Sequence, residues 1–173
     1  MSSMHPLVKV AIKYGLIGAL ISIVPFLTLY FSNISPVGNP SSVIVDFLLM
    51  LVFIFFANRE FRDSKNEGKL RFWQGMSIGF ILYCIIGFVY GAFVFIFIKS
   101  AGQPFFDMYI QQAAEGMKQV ASTNPETISQ EQLAQGLEEL KNVTAVDLFF
   151  KALIGKLFLG LIVTPIVTIV LRK

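Results

Sequence analysis

The sequence predicts an all-α fold: an integral membrane four-helix bundle with an exported amphipathic helical hairpin between helices three and four, in one membrane domain over residues 1–173. Three observations lead there. Of 173 residues, 55% are apolar and only 14% charged, and the mean hydropathy is +0.69, far from the balance of a soluble domain. Four stretches approach or reach the ~20 apolar residues that cross roughly 30 Å of hydrocarbon. A polar segment with helical periodicity separates the last two.

The spans are read at about 10–31, 43–57, 72–98 and 148–171. The second is short, about 22 Å at 1.5 Å per residue. The first is read as retained, because it is longer than a signal-peptide core and SNISP follows it in place of a small-residue cleavage site.

Basic residues near span ends stay on the cytoplasmic side, and here they divide sharply. Lys9 and Lys13 precede the body of the first span, Arg59, Arg62, Lys65, Lys69 and Arg71 fill the loop NREFRDSKNEGKLR, and Arg172 and Lys173 end the chain. The first connection, SNISPVGNPSS, is uncharged, and in the long segment between spans three and four acids outnumber Lys99, Lys118 and Lys141. Both termini are therefore expected inside. The five basic residues of the inner loop serve as topology signals, and they are also candidates for contact with anionic lipid or a partner. Phe72 with Trp73, and Tyr30 with Phe31, are placed as interfacial anchors.

Lipid tails give helices no hydrophobic reason to associate, so close packing relies on small residues. The third span has two such pairs, Gly75 with Gly79 and Gly87 with Gly91. At about 100° per residue the pairs point about 120° apart, which predicts contact with two neighbours. Gly15, Ala19, Gly18 and Ser22 of the first span, and Gly160, Thr164 and Thr168 of the fourth, are the receiving faces. Pro25 and Pro165 lie inside spans, each removing a backbone donor.

Charges inside a span are functional candidates by default: Asp46, Lys151 and Lys156. The short second span puts Asp46 near the outer boundary, in the first turns of its helix, with Ser41 or Ser42 as cap. Lys151 falls at the outer interface and Lys156 about a turn and a half deeper, its stem long enough to snorkel. Separate solvation at the interface is the plainer expectation for Asp46 and Lys156. An interhelical ion pair between them is the sharper one.

In the exported segment, about 103–147, Pro104 opens a helix in which Phe105, Tyr109, Ala113 and Met117 recur every four residues, ending near Val120. STNPET breaks it. Ser129 and Gln132 then have capping-box spacing ahead of Leu133, Leu137 and Leu140. Three covers are open to the aromatic face: the membrane surface, its own hairpin partner, or another protein.

The one cysteine, Cys84, lies in the third span as an apolar filler, and the one histidine, His5, leaves little for a His/Cys metal site. No cofactor or metal is implied, nor is nucleic acid. The motifs of nucleophile elbows and phosphate loops are missing, and a lone intramembrane acid does not make a two-carboxylate site.

Four spans, the inner loop NREFRDSKNEGKLRFWQGMSIGF with Arg59, Glu60, Arg62 and Gly75, and the ending GLIVTPIVTIVLRK resemble the family catalogued as domain of unknown function 4199. The resemblance covers nearly the whole chain. It implies a multi-pass bacterial inner-membrane protein, found chiefly in the Bacteroidetes, with no assigned activity and no functional residues to carry over. The function expected is a non-enzymatic accessory or assembly component, its partners the bilayer and a membrane protein or second copy. The alternative is a small oligomeric transporter or channel using Asp46 and Lys156.

Overall fold

The computed structural model describes residues 5–123 and 129–172. Among these it forms α1 (Pro6–Phe31), α2 (Pro40–Lys65), α3 (Phe72–Ala101), α4 (Gln103–Thr123), α5 (Gln130–Lys141) and α6 (Ala145–Leu171). Helices α1, α2, α3 and α6 are each long and apolar enough to cross a membrane. Most of the STNPET break, and Lys173, lie outside the described residues.

Helix α3 is central, packed most extensively on α6 and next on α1, while α2 closes the bundle against α1 and α6. One core joins all four long helices and includes Ala11, Ile54, Phe61, Ile78 and Val163. A second lies at the end occupied by α4 and α5, where Phe105 and Tyr109 of α4 bury themselves with Phe26, Tyr90, Ile98 and Leu148. The aromatic side of α4 therefore covers the bundle end itself. Tyr30, expected as an interfacial anchor, joins this core, 4.9 Å from the Phe97 ring centroid; Phe31 stays exposed.

Two expectations change at α2. The helix runs 26 residues, about 39 Å at 1.5 Å per residue, because the polar stretch after Ala57 continues it instead of entering the loop. Glu60 explains part of this, accepting from Lys13 Nζ at 2.7 Å and the Tyr14 hydroxyl at 2.8 Å. Arg62 also donates to the Leu171 carbonyl of α6 at 3.4 Å. The loop shrinks to residues 66–71, where Gly68 takes φ 76°. The cap is Asn39, neither Ser41 nor Ser42: its side chain accepts from Ser41 N–H at 2.8 Å ahead of Pro40. Proline suits the first helical position because its missing N–H would have no helical partner there.

Both glycine pairs of α3 meet α6, and Gly75 in addition lies against Asn58 of α2, where a Cβ would come within 3.1 Å of Oδ1. A Cβ on Gly75 would lie 2.5 Å from Thr168, one on Gly79 2.2 Å from Thr164, one on Gly87 3.1 Å from Leu153 and one on Gly91 3.1 Å from Phe149. Between the pairs, Tyr83 lies against Gly160. Rows at four-residue spacing run obliquely across a helix surface, so a neighbour lying along the row meets every member despite the 120° the pairs span. Helix α1 is received elsewhere, Gly15 against Ile85 and Gly18 against Ile86 and Phe53. Both α1 and α6 continue unbroken through Pro25 and Pro165.

Candidate functional site

The charged residues within the apolar helices converge at the α4/α5 end. Lys156 sits in the α3–α6 seam, one step of four after Ala152 and one before Gly160, and Gly87 leaves room for its Cβ at 3.4 Å. From there its ammonium donates to the Asp46 carboxylate on α2 and lies 4.0 Å from the Tyr90 ring centroid on α3. Separate solvation of the two charges is thus not what the fold builds. The Lys156 side chain is 2% exposed and that of Asp46 18%. A snorkelling path would carry the ammonium away from both the carboxylate and the ring, and burial favours the arrangement that satisfies it on the spot.

Tyr90 went unsuspected in the sequence, although its place between Gly87 and Gly91 marks it as a large residue on a close-packed face. A cavity of about 190 Å³ opens onto Asp46, Tyr90 and Lys156. Next to it is one of about 510 Å³ between the 35–40 loop, α4, α5 and α6, and the two share Val37, Gly38 and Lys151. Lys151 lies at this junction, donating to the Tyr109 hydroxyl at 2.9 Å. The loop wall is pinned by Gln112 of α4, which accepts from Ser35 N–H at 2.7 Å and donates to the Asn33 carbonyl at 2.8 Å.

The basic residues are at the opposite end of the bundle. Arg62 pairs with Asp63 at 2.7 Å and Arg59 with the same carboxylate at 3.6 Å, while Lys65, Lys69 and Arg71 stay exposed. Arg71 precedes α3, and its backbone N–H donates to the Gln74 carboxamide at 3.0 Å. Among the described residues no three His, Cys, Asp or Glu side chains cluster as metal ligands would. His5 caps α1, its Nδ1 accepting from Leu7 N–H at 3.3 Å.

Fold and composition define an all-helical membrane protein with four candidate spans and a buried ion pair between two of them. Residues 13–173 match the family model described as Protein of unknown function (DUF4199), and the chain belongs to that family. No curated protein matches, nor does any solved structure.

Proposed function

We propose that this chain is a non-enzymatic accessory or assembly component of a bacterial inner membrane, with both termini cytoplasmic and the α4–α5 end outside, where it meets another membrane protein. The observation that carries this is the attachment of α5. Among the described residues its helix-to-helix contact is with α4, none of its residues is fully buried, and Leu133, Leu137 and Leu140 keep only a minor part of their surface uncovered. An amphipathic helix so held retains apolar surface for a partner groove. The orientation rests on the basic end, where Arg59, Lys65, Lys69 and Arg71 collect, since such residues stay cytoplasmic.

A photo-crosslinking residue at Leu137, in native membranes, tests the component role. A discrete heterologous adduct that disappears in Leu133→Glu, and is not formed from lipid-facing Phe158, is the expected result. Solute flux through the purified protein in liposomes, abolished by Asp46→Ala or Lys156→Ala, overturns it in favour of a small oligomeric transporter or channel. That second function is favoured by the cavity opening onto the ion pair. In a Cys84→Ala background, a membrane-impermeant thiol reagent applied to intact cells should label Ser122→Cys and spare Ser64→Cys; the reverse pattern refutes the orientation.

A further inference from the structure

The charges around the two adjoining cavities do not balance. In the smaller, Lys156 and Asp46 neutralise one another. In the larger, Lys151 is, among the described residues, the single charged one of the wall, and no carboxylate of those residues lies within salt-bridge distance of it. Its hydrogen-bond partner is the neutral Tyr109 hydroxyl, and it lies 5.3 Å from that ring's centroid. An ammonium has three donors, so donors remain for an incoming group. Around it the wall is mostly apolar, with Val37, Met117, Leu133 and Leu140 contributing. A cation with neutral company at the edge of an apolar cavity complements an anion carried on hydrocarbon.

Size narrows the choice. The cavity of about 510 Å³ falls in the range of small-molecule sites. A volume of this order, in a cavity open on one side, gives room for a hydrocarbon chain beside the ammonium. The loop side of the wall is held in place beforehand, because Gln112 of α4 binds the Ser35 N–H and the Asn33 carbonyl. Less ordering is then left for binding to impose.

We propose that this cavity binds a long-chain carboxylate, its head group on Lys151 Nζ and its chain between α4 and α5. The site goes beyond the component role and shares Leu133 and Leu140 of α5 with it; the readouts keep the two apart, since neither a protein adduct at Leu137 nor its absence decides whether the acid binds.

The test uses the full-length protein in nanodiscs of zwitterionic phospholipid, titrated with a fluorescent long-chain fatty acid and with the corresponding alcohol. The acid should bind saturably, one per chain, and the alcohol at least about tenfold more weakly, as loss of a charge-assisted hydrogen bond requires. Lys151→Gln should bring the acid down to the alcohol's affinity, and Lys151→Arg should keep the difference. Gly116→Leu, at a wall position where a Cβ meets nothing within 4 Å, should block the acid while leaving the helical circular dichroism unchanged, because leucine is the better helix former. Non-saturable uptake matching empty nanodiscs, or wild-type affinity in Lys151→Gln, overturns the proposal. So does displacement of the acid by a diacyl anionic phospholipid at equal mole fraction, which would make the occupant a bilayer lipid.

Discussion

Lys156 has its carboxylate, its aromatic ring and its backbone neighbours on three different helices, so its removal is felt by all of them. Truncating one member of a buried ion pair strands the other and costs about 3–5 kcal/mol, whereas replacing both by apolar residues of similar size is close to neutral. Asp46→Leu and Lys156→Met should each lower the thermal midpoint in detergent, and the double variant should unfold no earlier than either parent; additive losses would mean that the pair is not coupled. At Gly79 the issue is space. A Cβ there would lie 2.2 Å from Thr164 Cγ2, and overpacking of this kind costs typically about 1–3 kcal/mol. Gly79→Ala should therefore melt earlier, with recovery when Thr164→Gly is added, while Gly155→Ala, whose Cβ meets nothing within 4 Å, should gain about 0.5–1 kcal/mol from helix propensity alone. Asp46 and Lys156 were visible in the sequence because a charge interrupts an apolar run. Tyr90 was not, because a linear pattern does not say which aromatic ring a cation will reach.

Helix α2 shows why element boundaries were harder to read than element existence. The apolar run ends at Ala57, and hydropathy sees only that change of solvent. The backbone continues to Lys65 because Arg59 and Asp63 stand one turn apart on the same face and Glu60 is held by Lys13 and Tyr14 of α1, contacts that hydropathy does not register. Hydrogen exchange should separate the two boundaries. Amides of residues 61–65 should exchange slowly, as helix does, and those of the 66–71 loop quickly, apart from Gly68 and Lys69, whose N–H groups donate to the Arg62 and Asn66 carbonyls, and Arg71, whose N–H donates to the Gln74 carboxamide. Uniformly fast exchange from residue 58 onward would restore the shorter helix. The α3–α6 seam has the same origin. Its small residues are legible at four-residue spacing, but their shared partner α6 is not, since direction around a straight helix does not show the oblique course of the neighbour.

Across the whole molecule the exterior is inverted relative to a soluble protein: Leu20, Phe88 and Phe158 face outward, while Gly75, Gly79 and Thr164 line the α3–α6 seam. Composition alone announces that inversion, which is why the four-helix architecture could be read without coordinates. The α4–α5 end could be read only as two amphipathic helices, because its burial depends on the second aromatic core, assembled from α1, α3, α4 and α6. Stability should accordingly be uneven, with α3 opening last and α5, which buries no residue fully, opening first. Ser129 and Gln132 close a reciprocal cap on α5 at 3.2 and 3.0 Å, and losing an N-cap side chain costs a helix about 1 kcal/mol. Ser129→Ala should therefore raise the exchange rates of α5 amides about fivefold, a factor set by that energy, with no shift in the thermal midpoint of the bundle. If the midpoint falls with α5, the two unfold as one cooperative unit, and α5 is part of the fold's foundation instead of an appendage carried by α4.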